Sequence, residues 1–117
     1  MPIETEEDLS DIRDELNDRY GDIPRAVENL FMIALVRSMG SSLGFEKIRQ
    51  NDSSVLIYPE RLDARIWSAL APQYKGRILL SAGEKPYISI RIKRGDDILR
   101  LLKEIFKNYI QFRSENG

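Results

Sequence analysis

Residues 24–43 carry Val27, Leu30, Phe31, Met32, Ile33, Ala34, Leu35, Val36, Met39 and Leu43, a spacing that predicts one long helix with apolar side chains on more than one face. Such a helix has no side to give to water. It must lie at the centre of a domain, packed against both a neighbouring helix and a sheet, and the rest of the chain has to supply those partners. Pro24 suits the first turn of this helix, where a missing N–H costs nothing, and Gly44 ends it.

The helix expected before it is of the opposite kind. It begins after Thr5, whose hydroxyl can cap free N–H groups, with Glu6, Glu7 and Asp8 at the positive helix end. Leu9, Ile12 and Leu16 form one narrow apolar stripe, and Gly21, taking the left-handed conformation, ends it. Residues 1–22 hold nine carboxylates against Arg13 and Arg19, a net of −7; residues 23–117 hold sixteen Lys/Arg against ten Asp/Glu, a net of +6. The formal net charge of −1 therefore conceals an acidic helix carried on a mildly basic body.

Beyond Gly44, two short strands are expected near 45–50 and 54–58, joined by the turn formers Asn51, Asp52 and Ser53 and stopped by Pro59. Leu62, Ile66, Ala69 and Leu70 mark a third helix, which Pro72 terminates. Residues 77–81 and 87–92 read as a second hairpin around Gly83-Glu84-Lys85-Pro86, with Ile88, Ile90 and Ile92 facing one way and Tyr87, Ser89 and Arg91 the other. The last helix starts near Gly95-Asp96-Asp97 and buries Ile98, Leu101, Leu102, Ile105, Phe106 and Tyr109. The order ααββαββα predicts an α+β, two-layer domain with a mostly antiparallel four-stranded sheet and helices packed on one face. A parallel pair between the hairpins stays open, because the third helix can serve as a crossover.

Composition narrows the chemistry. At 117 residues this is a single domain spanning 1–117, long enough to bury a core. With no cysteine and no histidine, it lacks a thiol nucleophile, a thiolate metal site, and the commonest general base and zinc ligand. No apolar run approaches a membrane span and no signal-peptide pattern opens the chain, so a soluble, cytoplasmic location is expected.

Glu15-Leu16-x-Asp18-Arg19-Tyr20-Gly21-x-x-Pro24-x-x-Val27-x-Asn29-Leu30, followed by Leu43-Gly44-Phe45-x-Lys47-Ile48, resembles the C-terminal domain of the bacterial transcription-repair coupling factor family. The family form has Phe where this chain has Tyr20, which keeps the ring. Tyr74-Lys75-Gly76-Arg77 and Ser81-Ala82-Gly83-Glu84-Lys85-Pro86-Tyr87 look like the family's second half, so the resemblance runs over about residues 3–110. It implies one domain of a larger DNA translocase that displaces stalled RNA polymerase and recruits nucleotide excision repair. No Gly-x-x-x-x-Gly-Lys-Ser/Thr phosphate loop is present, so no ATPase role, no catalytic residue and no cofactor is expected. What the resemblance implies instead is regulation. By that resemblance the domain is expected to dock on the parent's own UvrB-like module, cover the surface that binds UvrA, and so act only indirectly on UvrA and RNA polymerase; the isolated domain is expected to be a monomer.

Carried onto this chain, the docking contacts fall on Glu15 and Asp18, with Arg19, Asp14 and Asp11 beside them. An acidic helix face is ordinarily just a solvated face; the resemblance is what favours docking here. Arg19 has a structural use as well, reaching Glu15 one turn back. An alternative face comprises Lys75, Arg77, Lys85, Arg91 and Lys93 around the second hairpin, where Tyr74 and Tyr87 could stack single-stranded nucleic acid. A pI near 5.5 speaks against a dedicated nucleic-acid module, so no direct nucleic-acid contact is expected. Trp67 is expected half-buried against the sheet, and Asp96 and Asp97 are expected as helix caps rather than a catalytic carboxylate pair.

Overall fold

Thr5 caps the first helix as its hydroxyl predicts. Its Oγ1 accepts from the Asp8 N–H at 3.1 Å, while the Asp8 carboxylate accepts from the Thr5 N–H at 3.2 Å, a reciprocal box that satisfies two otherwise orphaned donors. The computed structural model describes residues 3–116. In chain order it has α1 (Glu6–Tyr20), α2 (Arg25–Ser42), β1 (Phe45–Gln50), β2 (Ser54–Pro59), α3 (Ala64–Leu70), a 3-10 turn (Ala71–Tyr74), β3 (Ile78–Ser81), β4 (Tyr87–Arg91) and α4 (Ile98–Asn116). This is the expected α+β order.

Two local expectations are corrected and a third is refined. Pro24 stands just outside α2 as its N-cap, with an extended ψ of 147°, and its carbonyl accepts from Val27 and Glu28. Gly21 has positive φ (80°) but a ψ of −150°, so it leaves the helix in a conformation open only to glycine rather than in the left-handed helical one. Pro72 ends the α-helix, which stops at Leu70, but not the helical path. It lies inside the 3-10 turn that prolongs it, where a proline early in the turn sacrifices no hydrogen bond.

The sheet order is β1-β2-β4-β3, and every neighbouring pair is antiparallel. The third helix does act as a crossover, since β2 and β3 run in the same direction. The open parallel pairing is nonetheless absent, because β4 folds back into the gap and takes the place beside β2, with Val55 opposite Ile90 and Ile57 opposite Ile88. Those four side chains are buried, as are Phe45 and Ile78 on the flanking strands, and the helices cover this face alone.

Phe45, Trp67, Phe106 and Tyr109 hold the layers together. Ring centroids lie 5.2 Å apart for Phe45–Phe106 and Trp67–Tyr109, and 5.4 Å for Phe45–Tyr109. Each such pair adds roughly 0.5–1.5 kcal/mol beyond area burial. Trp67 is fully buried, not half-buried, and its indole N–H has no partner among the described residues. The aromatic cluster claims the whole ring and leaves the polar edge stranded. Gly40 lets α2 approach β1 and α4, since a Cβ there would meet Ile48 Cδ1 at 3.1 Å and Phe106 Cε2 at 3.5 Å. Glycine inside a helix costs about 1 kcal/mol relative to alanine, which this close packing offsets. The C-terminal half of α2 is central as expected, with Leu35, Val36 and Met39 buried, but Leu30 near its start is 63% exposed. Among the described residues no helix is long and apolar enough to cross a membrane.

Candidate functional site

Helix α1 is an outrigger. Only Leu9 of its fifteen residues is fully buried, and Ile12 and Leu16 of the expected stripe are half-buried. Charged groups complete its attachment. Arg13 pairs with Glu28 of α2 and reaches the Met32 sulfur at 3.8 Å, while Glu6 accepts from Lys103 at 3.1 Å and Lys107 at 3.0 Å on α4. The two lysines, Lys107 foremost, hold the Glu6 carboxyl below the ordinary carboxylate range.

With Leu9, Ile12, Arg13 and Leu16 turned to the body, helical periodicity puts Asp11, Asp14, Glu15 and Asp18 on the opposite side, and all four are exposed. They follow one another at spacings of three and four, so they form one contiguous acidic face. Arg19 is the cation beside it, 3.3 Å from Glu15 in an exposed pair one turn apart. Asp11, Asp14 and Asp18 have no ion pair among the described residues. At the helix end Tyr20 is 76% exposed, although it stands one turn beyond Leu16 on the apolar stripe, so periodicity alone does not reveal its exposure.

The second candidate set is not assembled. Lys75 and Lys85 stand at opposite ends of the second hairpin. Arg77 is turned away from solvent, paired with Asp96 and donating from Nε to the Arg91 carbonyl at 3.0 Å. Tyr74 accepts from Asn108 of α4 at 2.8 Å, and burial pushes its hydroxyl pKa up, so it cannot stack beside Tyr87. Arg91 and Lys93 are exposed. Asp96 and Asp97 divide the capping role expected of both. Asp97 accepts from the Arg100 N–H at 3.2 Å, whereas Asp96 accepts from the Lys93 N–H at 2.6 Å and pairs with Arg77, contacts that lower its pKa, the Lys93 bond foremost.

Tyr87 instead faces Tyr58, with ring centroids 6.0 Å apart, on the side of the sheet the helices leave open. In the same rows stand Lys47 opposite Tyr58, Arg49 opposite Leu56, and Leu79 opposite Ser89. Sequence reasoning passed over Lys47, Arg49, Leu56, Tyr58 and Leu79. The available signal was the run Val55-Leu56-Ile57-Tyr58, in which both alternating faces are apolar and only one can be core. Among the described residues no group of three or more Asp or Glu is disposed to hold a metal ion.

The TRCF domain model matches residues 1–65 of the 117, which takes in α1, α2 and the first hairpin. A curated transcription-repair-coupling factor, present in two strains of Staphylococcus epidermidis, is 40% identical over 55 residues. That is 47% of this chain and only 5% of the relative's length. In fold, the crystal structure of a C-terminal domain of transcription-repair coupling factor matches 98% of this chain and 76% of that one, with a TM-score of 0.77 and 19% identity.

Proposed function

The chain belongs to the TRCF domain family of transcription-repair coupling factors, and on that premise we propose that it is a non-catalytic docking domain, whose α1 covers the UvrA-binding surface of the parent's UvrB-like module. The family ties the chain to DNA repair coupled to transcription, and the domain is not the motor of such a factor. The observation that carries the docking reading is the exposed face of Asp11, Asp14, Glu15 and Asp18, with Arg19 as its one cation. Like charges at these spacings cost an isolated helix about 0.2–0.5 kcal/mol per pair. A partner bearing arginines relieves that repulsion through charge-assisted, bidentate hydrogen bonds, and the contact stays salt-sensitive and releasable. Linkage in one polypeptide compensates for weak affinity, since a short tether supplies an effective concentration of about millimolar. A nucleic-acid module built on Lys75, Arg77, Lys85, Arg91 and Lys93 has less support, because Arg77 is already engaged by Asp96.

The test is calorimetric titration of this domain into the UvrB-like module at low and moderate salt. Weak binding that falls with salt and disappears in the Glu15→Lys, Asp18→Lys double variant is expected. Absence of binding at millimolar concentration, or binding indifferent to those substitutions, would sink the masking mechanism.

A further inference from the structure

The sheet face opposite the helices is a built surface for which the acidic helix has no use. Tyr58 and Tyr87 lie on the two central strands, β2 and β4, with rings 6.0 Å apart. Beside them on the edge strands are Leu79, 65% exposed, and the pair Lys47 and Arg49; Arg91 closes a third row opposite Ser54. Lys47, Arg49 and Arg91 are all exposed and enter no ion pair among the described residues. Side chains alternate along each strand, so the paired outward-facing positions include no carboxylate; Glu46, exposed at the β1 bulge beside Lys47, is the one acidic residue within the four strands. Strand spacing makes the platform about 14 Å wide from β1 to β3.

Cations alone would serve solubility and protect a sheet edge. Two half-exposed aromatic rings and a bare leucine do the reverse, so solubility does not account for the combination. Flat apolar rings beside two unpaired cations along β1 and a third on β4 match a ligand that carries planar faces and a row of anionic groups at once. That ligand is a nucleic acid with its bases unstacked.

We propose that this open sheet face binds single-stranded nucleic acid, with bases stacked on Tyr58 and Tyr87 and phosphates held by Lys47, Arg49 and Arg91. A duplex fits poorly because its bases are already stacked on each other. The acidic pI near 5.5 does not count against this surface, since nine carboxylates lie within residues 1–22, on or beside α1, which packs in the helix layer. The whole-chain value averages two separated faces. Repulsion from α1 and attraction to the sheet orient an incoming polyanion toward the platform.

The test is fluorescence anisotropy of labelled oligothymidylate, oligouridylate and a mixed-sequence duplex, each about twelve nucleotides long, within the range of single-strand sites. Saturable binding of either single strand, weakening as salt rises, is expected. The Lys47→Glu, Arg49→Glu, Arg91→Glu variant should lose it. Tyr58→Leu, Tyr87→Leu keeps the apolar surface but removes stacking, and should weaken single-strand binding at least about fivefold. Retained circular dichroism and urea midpoint separate lost binding from lost fold. A preference between the two single strands, which differ in the 2′-hydroxyl and the thymine methyl, supports the proposal either way. No saturable binding at low salt, or equal affinity for the duplex with no loss on Tyr→Leu substitution, overturns the proposal. So does binding of polyglutamate but of neither oligonucleotide, which would give the face to an acidic protein segment.

Discussion

Helices α1 and α4 are of similar length and opposite construction. Over nineteen residues α4 buries Leu102, Ile105, Phe106 and Tyr109, whereas α1 buries only Leu9 over fifteen. One is joined to the domain by apolar packing, the other by a single buried leucine, a salt-bridged arginine and two lysines reaching up from α4. The difference separates folding from recognition. A helix committed to the core cannot change its surface without changing the core, while a peripheral helix can hold an unfavourable cluster of like charges at little risk. The open sheet face is a third case, rigid because its reverse side is the core.

The largest effect that could break this comparison comes from matched truncations. Phe106→Ala removes a fully buried ring from the aromatic cluster and should cost about 3–5 kcal/mol, moving the urea midpoint of the whole domain. Leu9→Ala should cost less, about 2–3 kcal/mol, the low end for a buried leucine, because few elements close around that site. Hydrogen exchange should show the loss concentrated in the amides of α1. Equal and global losses from both would mean that α1 folds as one cooperative unit with the core.

The sequence made some of this legible and concealed the rest. Helix order, both hairpins, the Thr5 start and the Gly21 stop were readable because capping residues and breakers act locally. The acidic face was readable because helical periodicity, once Leu9, Ile12 and Leu16 define the buried side, fixes the outer one. Strand order was not, since the position of β4 between β2 and β3 depends on long-range pairing that no local residue encodes. The basic residues of the second hairpin were read as a neighbourhood in sequence. In space Arg77 turns to Asp96, Tyr74 turns to Asn108, and Lys47 and Arg49 arrive from the first hairpin instead. Full burial of Trp67 likewise depended on Phe45 and Tyr109, which are distant along the chain.

Smaller effects sharpen the contrast. Thr5→Ala removes one half of the capping box and should cost about 1 kcal/mol, visible as faster exchange in the first turn of α1 with the α4 amides unchanged. Acid should act in the same place. The folded pKa of Glu6 lies below its unfolded value, so the pairs with Lys107 and Lys103 contribute fully above the ordinary carboxylate range. That contribution is lost as pH falls through the lowered folded value. The expected record is loosening of α1 from α4 on acidification, shifted or abolished by Glu6→Gln. Because Glu6 is partly exposed, the effect on global stability is small and shrinks in salt.

The smallest expected effect on stability belongs to the residues that matter most for docking. Glu15→Lys breaks the exposed pair with Arg19, worth about 0.3–0.5 kcal/mol. It also places a cation four residues from Asp11, while Asp18→Lys lies four residues from Asp14 and complements the dipole near the helix C-terminus, and together these return a similar amount. The double variant should therefore unfold within about 0.5 kcal/mol of the original chain. A large destabilisation would show that the acidic face contributes to the fold of the domain itself. A near-zero change, coupled with lost binding to the UvrB-like module, would mean that these charges are retained for a partner and contribute little to the structure that displays them.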